Sequence, residues 1–130
     1  MGEAGVSNPL IVGLSLITNP TRFRLVKGFV ERLTLKEASA KYGIRYKYAV
    51  RLAGDLSKRG LLTRAKLFRY SVYVPTPLLA KAFKVACLEL YRRASQLPEG
   101  SRDSYLARYG ITYREVVELA RVGEEVVEEP

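Results

Sequence analysis

Histidine is absent from this chain of 130 residues, and cysteine occurs once, as Cys87. These absences exclude the common zinc sites, a catalytic dyad that contains histidine, and a disulfide within one chain. The acids Glu31, Glu37 and Asp55 form no convincing catalytic pair, and no glycine-rich loop that could hold a phosphate is visible. We therefore expect a protein that is not an enzyme, with no catalytic residue, no metal ion and no cofactor.

Long hydrophobic segments are also missing. The most apolar run, residues 9–17, is too short and too interrupted by glycine and serine to span a bilayer. No basic segment precedes it, as a secretory signal would require, so we expect a cytoplasmic protein. Asparagine occurs twice and glutamine once, and this depletion of heat-labile residues is typical of a thermophile.

Positive charge is what the chain has in excess, with a formal net charge of +9 and an isoelectric point near 9.8. Residues 22–73 hold fourteen Lys and Arg against three acids, a net charge of +11. Residues 98–130 hold four Arg against eight acids, a net charge of −4. The electrostatic field of this positive charge favours a polyanionic partner, with nucleic acid as the first candidate and an anionic membrane surface as the second. An ordinary solvated face is the alternative, but the concentration of charge in one block speaks against it.

Three helices are predicted in the basic block. Asn19-Pro20 is a helix start, and apolar residues spaced by three and four predict a helix over residues 20–33. A capping box, Thr34 to Glu37, begins a short second helix that ends at Gly43. A third helix, residues 45–59, follows this tight turn, so the pair is a helix-turn-helix. The side of the third helix expected to be buried carries Ala49, Leu52, Ala53 and Leu56.

Alternating apolar residues then predict two strands, residues 61–66 and 69–74. Tyr70, Val72 and Val74 share one face of the second strand, and Arg69, Ser71 and Tyr73 share the other. The predicted fold class is therefore mainly α with a small β-hairpin, a winged helix-turn-helix followed by C-terminal helices. Its domain covers residues 19–75, after an N-terminal arm of residues 1–18.

Two segments carry a resemblance to a family. Asn19-Pro-Thr-Arg22 resembles the D-P-T-R start of ArsR-type winged-helix repressors. The segment GIRYKYAVRLAGDLSKRGLL, residues 43–62, is similar to the repressor consensus G-I-S-x-x-x-V-S-R-x-L-x-x-L-x-x-x-G-L-V. The matching residues are Gly43, Ile44, Arg51, Leu56, Gly60 and Leu61. MarR-type and PadR-type regulators share most of this pattern, so the resemblance implies a prokaryotic DNA-binding regulator more strongly than any one subfamily.

Three departures from the family pattern concern function. The second helix reads Leu35-Lys-Glu-Ala-Ser and lacks the thiolate ligands that some ArsR proteins use to sense metals. Arg45 stands where serine is usual, which weakens the cap of the third helix. Val50 replaces the small polar residue that often precedes Arg51.

A recognition helix lies in the major groove, so residues 45–59 are expected there, with the hairpin of residues 61–74 as the wing. Arg45 and Arg51 are the strongest candidates for base edges or phosphates, because a guanidinium can bind both acceptors of guanine. We expect Tyr48 to contact DNA, whereas core packing is the favoured role of Tyr46 and DNA contact the alternative. The predicted DNA-binding residues are Arg45, Tyr46, Lys47, Tyr48 and Arg51 on the helix and Arg64, Lys66 and Arg69 on the hairpin.

Residues 76–130 are predicted to form a helical region with an acidic tail. Thr76-Pro77 starts a helix whose apolar arc is broad enough to cover its own domain and meet a second copy. We therefore predict a dimerisation helix, with a core helix of a single chain as the alternative. The predicted dimer contacts are Leu79, Phe83, Ala86 and Leu90. Cys87 lies in the same helix, where we expect a buried, inert thiol.

The turn of the helix-turn-helix recurs near the C-terminus. Residues 41–53 and 108–120 are identical at seven of thirteen positions. Glu115 and Glu118 replace Tyr48 and Arg51, so the second copy would repel phosphates and is expected to serve packing. The acidic residues 124–130 are expected to fray.

Two functions remain open from sequence. The leading hypothesis is a homodimeric regulator that binds specific sequences in double-stranded DNA, without a membrane partner and with an unknown small-molecule effector. The alternative is a winged-helix module that binds protein or RNA within a transcription, replication or RNA-processing complex.

Overall fold

The computed structural model describes residues 8–67 and 70–128. It confirms a mainly helical chain with a small antiparallel hairpin. Within the described residues no helix is long and apolar enough to cross a bilayer. The main elements, in chain order, are α1 (Pro9–Leu16), α2 (Pro20–Val30), α3 (Leu35–Lys41), α4 (Tyr46–Lys58), β1 (Leu62–Leu67), β2 (Tyr70–Pro75), α5 (Pro77–Ser95), α6 (Arg102–Leu106) and α7 (Tyr113–Glu128).

Helix α1 lies in the segment interpreted from sequence as an arm. The Asn8 side chain caps it by accepting a hydrogen bond from the backbone N–H of Leu10 at 2.8 Å. Val12 and Leu16 are buried, and the helix packs on α5. At Gly13 the backbones approach so closely that a Cβ atom would lie 2.7 Å from the carbonyl oxygen of Ala82. The apolar run is therefore part of the core and not a loose arm.

Helix α2 ends at Val30, three residues earlier than predicted. Arg32 adopts a left-handed backbone conformation, with φ of 66°. The N–H of Leu33 then donates to the carbonyl of Gly28 at 3.0 Å, as in a Schellman motif. Because glycine usually occupies this left-handed position, an arginine there gives no sequence signal for the helix end.

The two predicted glycine stops, after α3 and after α4, are confirmed. Gly43, after α3, has φ of 63°, and Gly60, after α4, has φ of 74°. The capping box at Thr34 is present, since its hydroxyl accepts from the Glu37 N–H and the Glu37 carboxylate accepts from the Thr34 N–H. Ile44 is buried in the turn.

The hairpin begins one residue later than predicted on each strand. Leu62 pairs with Pro75 and Arg64 pairs with Tyr73. The ring of Tyr73 packs against that of Phe29, with centroids 5.5 Å apart, and so attaches the hairpin to α2. Residues 68–69 are outside the described residues, and the predicted site residue Arg69 lies among them.

Helix α5 is the centre of the core, with α1 and α7 packed against it. Leu79, Phe83, Ala86 and Leu90 are each at most 3% exposed within a single chain. The prediction that they form a dimer interface is therefore corrected, and the alternative of a core helix accounts for them. The sequence shows the width of the apolar arc but not whether the same chain covers it. Cys87 is buried on this helix, as expected.

The C-terminal half repeats the turn of the first motif. Gly110 has φ of 64°, Ile111 is buried, and α7 begins three residues after the glycine, as α4 does after Gly43. Val116 and Ala120 are buried at the places that Ala49 and Ala53 occupy in α4.

A single side chain joins the two turns. Arg24 Nε donates to the carbonyl of Tyr42 at 3.1 Å, and Arg24 Nη1 donates to the carbonyl of Arg108 at 2.6 Å. The first carbonyl lies one residue before the turn glycine Gly43, and the second lies two residues before the turn glycine Gly110. The turns also meet directly, since a Cβ atom on Gly110 would lie 2.9 Å from the Tyr42 ring.

Candidate nucleic-acid interface

Helix α4 has one buried side and one exposed side. Ala49, Leu52 and Leu56 face the core, which fixes the helix to the body. The opposite side exposes the residues predicted from sequence to contact DNA, which are Arg45, Tyr46, Lys47, Tyr48 and Arg51. We call these five residues the α4 face.

Tyr46 corrects one expectation. Core packing was its favoured role, but the side chain is 54% exposed. It lies next to Arg45 and Lys47 at the start of the helix, on the solvent side. Tyr48 is 40% exposed, in agreement with its expected position.

The N-terminus of α4 carries only positive charge. Arg45 occupies the cap position without a side-chain hydrogen bond, as the departure from serine predicted, and the first turn holds no acid. The free N–H groups of a first turn add partial positive charge to that of Arg45 and Lys47. An anion is therefore favoured at this end of the helix.

Arg22 is a basic residue that sequence reasoning did not assign to this surface. Its Nη2 donates to the carbonyl of Ser15, and its Nε is buried without a hydrogen-bond partner in the described part of the chain. Burial lowers the pKa of its guanidinium, and the nearby charge of Arg59 lowers it further, although Tyr48 opposes this. Arg22 thus extends the positive field beside α4, because a guanidinium stays charged in proteins.

The hairpin carries two of its three predicted basic residues within the described range. Arg64 and Lys66 are exposed on β1. Because side chains alternate along a strand, both share a face with Leu62, which is buried, and Arg64 lies opposite the buried Tyr73. This is the face that packs on the body, and β1 contacts α4. Arg64 and Lys66 therefore start from the side of the hairpin that faces the body, and their side chains are exposed to solvent there.

The equivalent surface of α7 has a different charge. Glu115 and Glu118 are exposed at the places that Tyr48 and Arg51 occupy on α4. Glu115 also forms an ion pair with Lys27 at 3.2 Å, which ties α7 to α2. The repeated motif thus serves packing, and its outward side lacks the cationic row of α4. Among the described residues no group of His, Cys, Asp and Glu could hold a metal ion.

Comparisons of the chain with models of protein families, with curated proteins and with solved structures found no match in any of the three. The functional conclusion therefore depends on the geometry and charge of the α4 face and the hairpin.

Proposed function

We propose that the protein is a transcriptional regulator that binds specific sequences of double-stranded DNA through a winged helix-turn-helix. Helix α4 enters the major groove, and the hairpin β1–β2 is the wing. The observation that carries this proposal is the α4 face, which exposes three cations and two tyrosines, with one exposed acid, Asp55, a turn beyond Arg51, while the reverse side anchors the helix in the core. A helix presented in this way fits the major groove in both shape and charge.

Each residue of the surface has a role that follows from its chemistry. The guanidinium groups of Arg45 and Arg51 bind the O6 and N7 atoms of guanine or a phosphate. The hydroxyls of Tyr46 and Tyr48 donate to phosphate oxygens, and Lys47 neutralises a phosphate as a point charge. Contacts to phosphates fix the register of the helix, while contacts to bases select the sequence.

The wing and the far end of α4 supply further phosphate contacts. Arg64 and Lys66 reach the strand or the minor groove next to the one that α4 enters. Arg69 is assigned to the same group from the sequence. Arg22 and Arg59 neutralise phosphates beside the C-terminal end of α4.

A second copy completes the proposed regulator, and the surface proposed for it is on α1. Leu10, Ile11 and Leu14 are each more than 40% exposed, whereas the other side of α1 is buried on α5. A helix that is apolar on all sides is normally covered on all sides. A symmetric dimer would place two α4 helices about 34 Å apart on the DNA, which is one helical turn. A regulator of this kind acts in the cytoplasm, where the prokaryotic chromosome lies.

Binding to duplex DNA tests the proposal. Duplexes selected from a random pool are titrated by fluorescence anisotropy with the wild-type protein, with Arg51→Glu and with Arg92→Glu. Arg92 is an exposed arginine of α5, so its variant is a control for the same change in net charge. Arg51→Glu should weaken binding at least about tenfold, the loss expected of one guanidinium contact. Equal losses in both variants, or no saturable binding at low salt, would overturn the proposal.

A protein-binding or RNA-binding module is the second candidate. It is favoured by the apolar area exposed on α4, where Val50 is 41% exposed and lies one turn after Tyr46, which is 54% exposed. Exposed aromatic residues also stack on unpaired bases. Tighter binding of single-stranded RNA than of any selected duplex would favour this candidate.

A further inference from the structure

A cavity of about 460 Å³ lies between α2, α5 and α7, away from the α4 face. Its size falls within the range of roughly 300–1,000 Å³ that is typical of small-molecule sites. The apolar part of its lining is Val30, Phe83 and Leu119. The charged part is Lys27, Glu31, Arg114, Glu115 and Glu118. The lining thus combines an apolar wall with charged groups, the two components of a ligand site.

Two of the three carboxylates that line the cavity are already paired with lysines. Lys27 is buried, with its Nζ 3.1 Å from a Glu31 oxygen and 3.2 Å from a Glu115 oxygen. Its single charge is therefore already satisfied by two carboxylates. Glu31 also pairs with Lys41 at 3.2 Å, so Glu118 is the lining carboxylate that has no ion pair among the described residues. An unpaired carboxylate beside an apolar wall disfavours an anion and favours a cation.

We propose that this cavity binds a small organic cation with an apolar or aromatic body. The body packs against Phe83, Leu119 and Val30, and the ammonium lies beside Glu118, the carboxylate that is not bound to Lys27. Apolar burial supplies affinity, and the carboxylate selects for positive charge.

The cavity is linked to the turn between α3 and α4. Glu31 accepts hydrogen bonds from the Tyr42 hydroxyl and from Lys41 Nζ, the latter at 3.2 Å. Tyr42 directly precedes the turn glycine, Gly43. A cation bound beside Glu118 adds positive charge near Lys27, which contacts both Glu31 and Tyr42, and thereby changes these contacts and the position of the turn. This second step rests on the proposed function, whereas binding in the cavity does not.

Binding is tested first, without DNA. Phenethylammonium and benzyltriethylammonium are titrated into ¹⁵N-labelled full-length protein, with phenylacetate and phenethyl alcohol as an anionic and a neutral control. We expect saturable shifts of the amide resonances of Val30, Glu31 and Leu119 with the cations, and weaker shifts with the controls. No saturable shift with either cation up to about 10 mM, the range of fragment-like affinities, contradicts the proposal. Equal affinity for phenylacetate contradicts it as well.

Two matched variants test which carboxylate binds the ammonium of the ligand. Glu118→Gln removes the carboxylate assigned to the ammonium, and Glu99→Gln removes an exposed carboxylate elsewhere on the surface. Glu118→Gln should weaken cation binding at least threefold, whereas Glu99→Gln should leave it unchanged. Both substitutions are exposed, so the amide spectra should remain those of a folded protein. Unchanged binding in Glu118→Gln overturns the assignment.

The link to the turn is tested last, by titrating the selected duplex with and without saturating phenethylammonium. We expect at least a threefold change in DNA affinity in the wild type and none in Glu118→Gln. Cation binding without such a change leaves the site established and rejects the coupling. If no duplex binds at all, the proposed function fails while the cavity result stands independently.

Discussion

The hydroxyl of Tyr42 accepts a hydrogen bond from the ammonium of Lys27, at 2.9 Å, and donates one to the carboxylate of Glu31. Lys27 also pairs with Glu115 on α7. Burial acts to lower the pKa of Lys27, but the hydrogen bonds that its ammonium donates to Tyr42 and Glu31 outweigh this effect and raise that pKa above its usual range. Three helices, α2, α3 and α7, are thus joined at one buried charge.

Tyr42→Phe removes the hydroxyl of this network and keeps the ring. We expect the free energy of unfolding to fall by about 1–2 kcal/mol, because Lys27 loses a buried partner. Thermal unfolding followed by circular dichroism measures the change. Tyr46→Phe is the matched control, since its side chain is exposed, and it should change stability by less than about 0.5 kcal/mol. Equal effects of the two substitutions would argue against a structural role for the network.

The pH dependence of stability follows from the same residues. Burial acts to raise the pKa of Glu31, but the hydrogen bonds from Tyr42, Lys27 and Lys41 lower it below its usual value. Its contribution is present above the pKa of the unfolded state, about 4.3, and is lost as the pH falls through the lower folded value. Lys27 has a raised pKa, so its contribution is present below about 10.4 and is lost as the pH rises through the higher folded value.

Melting temperatures should therefore change little between about pH 5 and 9 and fall outside this range. The chain has no histidine, so no side chain with an ordinary pKa titrates in the middle of this pH range, and the melting temperature should be constant there. A series of thermal melts at constant ionic strength checks the profile. A stability transition between pH 6 and 7, the usual histidine range, would show that another group dominates.

Arg32→Gly should stabilise the protein. Arg32 has φ of 66°, which costs a residue with a Cβ atom about 1 kcal/mol relative to glycine. We expect a rise of a few degrees in the melting temperature. Arg32→Ala is the control, because it removes the same side chain and keeps the left-handed strain. A similar rise in both variants would assign the gain to the side chain instead of the backbone.

Two substitutions distinguish a residue of the core from a residue of the proposed dimer interface. They are Leu90→Ala on α5 and Ile11→Glu on α1. Leu90 is fully buried in one chain, so its truncation should cost about 2–5 kcal/mol without changing the molar mass in solution. Ile11 is 52% exposed on α1, so a charge there should convert a dimer to a monomer. Light scattering after size exclusion gives both masses. The α1 interface is wrong if Ile11→Glu keeps the mass of a dimeric wild type or if the wild type is a monomer.

Salt should weaken binding to the selected duplex steeply. If about six phosphates are neutralised per protomer, the slope of log affinity against log salt is about −5. Anisotropy titrations at several potassium chloride concentrations measure this slope. Lys66→Ala should make it shallower by about one if that side chain contacts a phosphate. A slope near zero would favour a partner other than nucleic acid.

Local signals account for what the sequence predicted well. The capping box at Thr34 and the stops at Gly43 and Gly60 each involve residues within a few positions of one another, so spacing alone identifies them. The two sides of α4 follow from helical periodicity in the same way. For the candidate site, this was sufficient to identify the exposed cations of α4 before the structure.

Long-range contacts account for what the sequence did not predict. The position of Arg22 beside Tyr48 and Arg59 depends on how α2 packs against α4, which no local pattern specifies. The breadth of the apolar arc of α5 predicts contact with a second copy, but α1 and α7 of the same chain cover that arc. The cavity beside Lys27 was missed for the same reason, since α2, α5 and α7 meet only in the folded chain.

Cys87 lies on α5, close enough to Lys27 and Glu115 to interact with both charges. Burial raises the pKa of its thiol above the usual range. Alkylating reagents need an accessible thiolate, so the native chain should resist them for as long as α7 stays in place. A state in which the C-terminal helix lifts away would expose the thiol. The natural sequence thus contains a single-site chemical reporter of that opening, without an engineered label.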